Sequence, residues 1–454
     1  MTTLFDKQHA YFVESLNERW MRMTKLEEEK VFKDPVHKYI YVQDQLIWDL
    51  IDTPEFQRLR RIRQLGTTFL TFHGAEHSRF SHSLGVYELT RRIISQFERS
   101  EYPDWPREEK LLSLCAALLH DLGHGPFSHS IEEIMEFDHE EWSCSIIEGD
   151  TEVNRLLRSV EPGFPGKVAS VIRKTYEKPI VINLVSSQMD ADRMDYLLRD
   201  AYFTGVNYGT FDLDRILRVL RPHQGRIVVK DSGMHAVEDY LMSRYQMYWQ
   251  VYFHPVTRSS EIVLRKILLR AQELCRSGYA FSWIPEPIKR LFNQELDVAS
   301  YLKLDESLVQ TAFAAWTEEE DKRLASLCTR FLNRKLYKYI TFDREHESDA
   351  QLFCERLAAA GMNRDYELEI DFPYDLPYHV YRSGMDKQEE GNRGKPPILL
   401  LDSSMQLTEI SAQSDVVRSI TGMHRGQYRL FYDAEAASLL SYRMEPDIRE
   451  RLGL

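Results

Sequence analysis

Residues 108–123, EEKLLSLCAALLHDLG, constrain this chain more than any other stretch. Acids open the segment, apolar side chains fill it and Gly123 closes it, so the spacing predicts a buried helix. That helix ends on the adjacent pair His120 and Asp121. A polar pair at the end of so apolar a run is costly to bury unless it is hydrogen-bonded or metal-bound. The negative end of the helix dipole also favours a cation there. Gly123 and Gly125 allow a sharp turn and Pro126 stops the helix, which keeps His124 near the pair. An isolated His-Asp dipeptide is more simply a hydrogen-bonded core pair, so its significance rests on what surrounds it.

Those surroundings are unusual. Of 15 histidines in 454 residues, seven fall between positions 73 and 139: His73, His77, His82, His120, His124, His129 and His139. Histidine is the commonest metal ligand and the side chain best suited to moving protons near neutral pH. RFSHSLGVYELTRR places His82 on a helix, and SSQMDADRMDYLLRD carries Asp190, Asp192, Asp195 and Asp200. On a helix Asp192, Tyr196 and Asp200 share one face. Asp195 and Arg199 have the spacing of a surface ion pair, and the four acids alone read as a solvated face.

Helical spacing dominates from Ile51 to about residue 280. Residues 1–28 read as an amphipathic helix, and the alternation in VHKYIYV predicts a strand or hairpin within 30–47. Beyond about residue 290 the texture changes. Helices are expected to 360, then strands at YELEI, YHVYR, ILLL and YRLFY, with an exposed loop over 384–397. The expected architecture is mostly α: an N-terminal segment over 1–50, a large helical core over 51–290, and a smaller helical and α+β region over 291–454.

Composition narrows the function. The net charge of −13 disfavours a stable nucleic-acid partner, which would need a local excess of Lys and Arg, but leaves room for a small anionic substrate. No apolar run reaches the roughly 18 residues of a membrane span, and the N-terminus lacks the layout of a signal peptide. Five scattered cysteines form no CxxC pair, which suggests a reducing, cytoplasmic setting.

The order His82…His120-Asp121…Asp192 resembles the HD metal-dependent phosphohydrolase superfamily. More specifically, DTPEFQRLRRIRQLG (52–66), HSRFSHSLGVYEL (77–89), HDLGHGPFSHS (120–130) and MDADRMDYLLRD (189–200) are similar to the deoxynucleoside triphosphate triphosphohydrolases. That family comprises bacterial enzymes and a human enzyme joining a SAM domain to an HD domain. No SAM domain is expected before residue 30. The resemblance covers about residues 30–340 and implies a helical HD-domain core.

It further implies that His82, His120, Asp121 and Asp192 hold one divalent metal: Mg, Mn, Fe, Co, Ni or Zn. His124, His129, Glu132 and His139 would form the catalytic cluster, with His129 the preferred proton donor and His124 steered by Glu132. The family more often has Asp at the position of Glu132. Arg79, Arg193 and Arg244 would meet phosphates; Gln64, Asp200 and Tyr196 would meet the sugar; Leu65 and Tyr252 would crowd out a 2′-hydroxyl. Lys30, Val31, Lys33, Asp52, Gln57, Arg60 and Arg215 match a regulatory pocket for dGTP or GTP between subunits of a homotetramer. Asp52 could alternatively cap the helix that begins at Pro54.

The implied reaction is hydrolysis of a dNTP to deoxynucleoside and triphosphate. The four metal ligands alone would equally suit another HD phosphohydrolase, a nucleotidase or phosphodiesterase. The set Gln64-Leu65, Arg244 and Tyr252 favours the first reading. A purely nucleotide-sensing protein would not need His124, His129 and His139.

Overall fold

A computed structural model of the chain describes residues 25–128, 130–132, 138–343, 346–373, 396–421 and 426–454. Strands β1 (Lys25–Asp34) and β2 (Lys38–Asp44) form the expected hairpin. Residues 25–28 are therefore strand, not the end of a helix. The rest of that N-terminal stretch, His129, YHVYR and nearly all of the 384–397 loop lie outside the described residues.

Helix α1 (Arg79–Arg99) packs against both α2 (Lys110–Leu119) and α4 (Ala191–Thr204), and α3 (His139–Glu148) lies nearby across Gly123. Leu112, Leu114, Cys115, Ala116, Ala117, Leu118 and Leu119 of α2 are all buried. A helix apolar on every side must be central, as the sequence of this one requires. Helices α5 (Met234–Met247) and α6 (Pro255–Arg276) are joined by a π-helical turn over Tyr248–Tyr252.

Among the described residues three small sheets complete the fold: β1-β2, then β3-β4-β7-β8 and β5-β9-β6. Their remaining strands are β3 (Leu220–His223), β4 (Arg226–Lys230), β5 (Lys338–Asp343), β6 (Leu368–Asp371), β7 (Leu399–Leu401), β8 (Leu407–Glu409) and β9 (Gln427–Tyr432). The RPHQG stretch is the turn of the β3-β4 hairpin, with Gln224 and Gly225 both in the left-handed region that such tight turns need. Strand β5 falls where a helix was expected. Its partner β9 is remote in sequence, so six alternating residues gave no local sign of pairing.

The main hydrophobic core runs from Ile40 to Phe431 and takes in the helices up to Phe331. A second, smaller core, with Leu357, Leu368, Leu430 and Ile448, lies beneath the β5-β9-β6 sheet. Among the described residues no helix is long and apolar enough to cross a membrane.

Candidate metal centre and adjoining cavity

The apolar helix α2 ends where the sequence placed its end, with His120 as its C-cap. The turn that follows is held by α3. The Ser143 hydroxyl donates to the His120 carbonyl (2.8 Å) and accepts from Gly123 N–H (2.8 Å). A Cβ on Gly123 would lie 2.2 Å from the His139 carbonyl, so only glycine lets α3 seat this closely. That seating stacks the His139 ring on His124, centroids 3.8 Å apart.

Four side chains from three segments converge beside this turn. His82 Nε2 lies 3.1 Å from Asp192 Oδ1 and 3.5 Å from Asp121 Oδ2. His120 Nε2 lies 3.4 Å from Asp121 Oδ1 and 3.7 Å from Asp192 Oδ1. Ligands about 2.1 Å from one ion stand roughly 3.0–3.4 Å apart, so His82, His120 and Asp192 are spaced to hold a single divalent metal. Among the described residues neither Nε2 has a hydrogen-bond partner. Both Nδ1 atoms do: His82 donates to Asp195 (2.8 Å) and His120 to the Ala117 carbonyl (2.9 Å). This fixes each ring with its Nε2 lone pair aimed at the common centre, the usual arrangement of metal-binding histidines. Asp121, His124 and His139 form a second group of closely spaced donors.

Asp190 plays a different part. It caps α4, taking the N–H groups of Arg193 (2.7 Å) and Ser187 (2.6 Å). Asp195 and Arg199 are no surface pair. Both are buried, as are Asp190 and Asp200, so three of the four acids are interior and only Asp192 is partly exposed. Burial opposes ionisation of Asp195, but Arg199, His37 and His82 outweigh it and hold its carboxyl far below the usual range.

In the metal-free chain the acids draw protons onto the imidazoles. Burial opposes charging of His82, but Asp192 and Asp195, close to its two ring nitrogens, and the charge of Asp121 push it up to about 10. His120 is raised too, against burial, by Asp121 and Asp192. A folded value above the ordinary 6.5 means protonated His82 stabilises the metal-free fold. That contribution is complete below about 6.5 and lost as pH rises through about 10. A metal must displace this proton, so uptake by metal-free protein is expected to tighten between about pH 6 and about pH 9. Titration with Mn(II) or Co(II) across that range checks it; a flat affinity would contradict it.

Glu132 backs His124 and His139. Its Oε1 lies 3.0 Å from His124 Nδ1 and its Oε2 3.1 Å from His139 Nδ1. The extra methylene that distinguishes it from aspartate lets one carboxylate reach both rings. His124 is pushed down to about 3 by burial first, then by Arg79 and His139. Burial opposes charging of His139 as well, but there Glu132 prevails and raises it.

A cavity of about 400 Å³ opens beside these groups. Its wall includes Asp121, Asp192, His124, His139, Arg79, Gln64, Leu65, Tyr196, Asp200 and Tyr252. Arg79 is anchored to Asp121 (2.5 Å) and Ser128 (3.0 Å). Gln64 keeps a buried Oε1 without a hydrogen-bond partner. The Tyr252 hydroxyl donates to Asp200 (2.8 Å), whose other oxygen meets His77 Nε2 at 2.8 Å.

Arg193 and Arg244 are both buried and are not in the lining. Arg193 instead donates to the Ser187 carbonyl (2.7 Å), and the Arg244 guanidinium stands 5.4 Å from the Tyr248 ring.

Tyr248 and Ser128 were not anticipated in the wall. Tyr248 is brought in by the π-turn, a distortion often found at functional sites. Ser128 and its neighbour Phe127 adopt the left-handed backbone conformation without being glycine. The SHS run is a weak signal for Ser128, and nothing local marks the π-turn that brings in Tyr248.

The residues matched to a regulatory pocket lie on several elements, most of them at least partly exposed. Lys30, Val31 and Lys33 lie on β1. Asp52 is the exposed last residue of the helix Gln45–Asp52; Thr53, not Asp52, caps the next helix by accepting from Phe56 N–H (3.3 Å). Gln57 accepts from Arg60 at 2.8 Å, and the Arg60 guanidinium lies over the Phe80 ring. Arg215 is on a separate helix and bonds the Ser232 carbonyl (2.7 Å).

Comparison with known proteins bears on this geometry. Residues 79–200 match the HD domain and residues 211–277 the HD associated region. The uncharacterized protein YwfO of Bacillus subtilis is 56% identical over 409 residues, covering 90% of this chain and 93% of that one. The deoxynucleoside triphosphate triphosphohydrolase SAMHD1 of Danio rerio is 30% identical over 358 residues, covering 69% of this chain and 56% of that protein. The crystal structure of a phosphohydrolase from Bacteroides thetaiotaomicron superposes with a TM-score of 0.77 at 27% identity, covering 89% of this chain and all of that one.

Proposed function

This chain belongs to the HD-domain phosphohydrolase family, and from that premise we propose that it is a metal-dependent deoxynucleoside triphosphate triphosphohydrolase. The observation that carries the reading is one continuous cavity. Its wall holds Asp121 and Asp192 of the metal-ligand cluster together with the Gln64, Leu65, Asp200 and Tyr252 that would receive a sugar. Its size suits a small ligand.

A bound metal, held by His82, His120, Asp121 and Asp192, would polarise a phosphate oxygen and lower the pKa of a water. The chain supplies the rest. Water adds to the α-phosphorus, the bond to the 5′-oxygen breaks, and that oxygen takes a proton. His129 is assigned the proton donation, and His124, fixed by Glu132, orients the attacking water. Arg79 meets the phosphates from the cavity wall, and Arg193 and Arg244 are assigned to the same phosphates.

Tyr252, fixed by its bond to Asp200, and Leu65 both line the cavity and are assigned to crowd out a 2′-hydroxyl. Crowding of this kind discriminates by about 10²-fold. Each dNTP and its matching ribonucleotide, given to metal-loaded protein, are expected to differ in kcat/KM by about that factor. Equal turnover of the two would overturn the sugar assignment.

The surface set Lys30, Val31, Lys33, Asp52, Gln57, Arg60 and Arg215 is assigned to an activating dGTP or GTP bridging subunits of a homotetramer. Turnover of a single dNTP with and without dGTP, alongside light scattering, tests this. Activation without assembly would overturn it.

A further inference from the structure

We infer that the turn of the β1-β2 hairpin positions the metal centre, acting through the buried carboxylate of Asp195. This rests on the metal reading of the His82, His120, Asp121 and Asp192 cluster. The Asp195 carboxylate receives four donors. Its Oδ1 accepts from His37 Nε2 (2.6 Å) and Arg199 Nη2 (2.9 Å), and its Oδ2 from His82 Nδ1 (2.8 Å) and Arg199 Nε (2.8 Å). His37 and His82 thus hold opposite oxygens of one group.

The turn is locked in place by the same arginine. Arg199 Nη1 donates to Asp34 Oδ2 (2.8 Å), and Asp34 Oδ1 accepts the N–H groups of Val36 (2.9 Å) and His37 (2.8 Å). Asp34, Arg199 and Asp195 are all buried, so water cannot replace a lost partner. On α1, one turn after His82, a Cβ at Gly85 would lie 1.8 Å from Asp195 Oδ1 and 2.5 Å from Arg199 Nη2. The helix is thinned at the one place where the carboxylate must pass. His37 and Arg199 touch neither the metal ligands' lone pairs nor the cavity; they fix Asp195, and Asp195 fixes the direction of the His82 Nε2.

The outer side of the turn is open. Pro35 through Tyr39 form one wall of a cleft of about 910 Å³, faced by Tyr202 and Asp212. Displacement of the turn at this surface is transmitted through two hydrogen bonds to a metal ligand.

The test uses the full chain loaded with Co(II). Its readouts are the visible absorption of the bound ion, the rate of metal loss to EDTA, and circular dichroism of the metal-free protein. Removing a partner one step behind a ligand typically weakens metal binding about 10–100-fold. His37→Ala is expected to lose metal faster by about that factor and to shift the cobalt spectrum. His37→Gln, whose amide donates from nearly the position of Nε2, is expected to restore both. Should His37→Ala fail to fold, Gly85→Ala and Arg199→Lys probe the same carboxylate and are expected to release metal faster too.

Wild-type release and spectrum in these variants would overturn the inference, whatever happened to thermal stability. Equal loss in His37→Ala and His37→Gln would overturn it as well, because packing rather than a hydrogen bond would then matter. A wild-type chain that takes up no metal would defeat the underlying metal reading, a result distinct from either.

Discussion

Replacing Asp192 with alanine is expected to abolish metal retention and to lower turnover by about 10³-fold or more, since metal catalysis contributes several kcal/mol and each ~1.4 kcal/mol is tenfold. Asp192 sits in the first turn of α4, with Oδ1 3.1 Å from His82 Nε2 and 3.7 Å from His120 Nε2. Its neighbour cannot take over. Asp190 has both oxygens committed to backbone N–H groups at the helix start. Asp190→Ala is therefore expected to cost the fold about 0.5–2 kcal/mol as a lost cap while metal stays bound. Elemental analysis after dialysis, with urea denaturation of both variants, separates the two roles. Unchanged metal content in Asp192→Ala would contradict the assignment of the fourth ligand.

His124→Ala is expected to lower kcat by about 10²–10⁴-fold with metal content unchanged, the range for loss of a general acid–base group. His124 is 1% exposed, and its value near 3 keeps it neutral at pH 7. Glu132 holds its Nδ1 at 3.0 Å, and its Nε2 lies 3.3 Å from Asp121 Oδ1, beside the metal centre. A neutral imidazole so fixed can orient a water without first giving up a proton. Glu132→Asp withdraws the carboxylate by one methylene and so can back one ring but not both; an intermediate loss of kcat is expected. If His124→Ala lost less than about tenfold, the residue would be a core histidine and not part of the chemistry.

Much of this architecture could be read from the residues, because the signals were local. The apolar helix that ends on His120 and Asp121, the glycine turn after it and the hairpin at VHKYIYV each follow from a few adjacent side chains. Spacing also put Asp192, Tyr196 and Asp200 on one face, and the cavity wall includes all three.

What escaped notice depends on contacts between distant segments. Asp195 and Arg199 at i, i+4 look like a surface pair until the hairpin turn covers them. The reach of Glu132 to two rings needs α3 seated on Gly123. The π-turn that turns Tyr248 and Tyr252 inward has no residue pattern of its own. Strand β5 exists because β9 pairs with it, and six residues carry too little pattern to announce a partner.

The identity of the phosphate product tests the central claim most directly. Metal-loaded protein is incubated with a dNTP, with and without dGTP, and the mixture is followed by phosphorus NMR. Inorganic triphosphate and free deoxynucleoside in equal amounts are predicted. Pyrophosphate with a deoxynucleoside monophosphate, or orthophosphate with a diphosphate, would contradict the account.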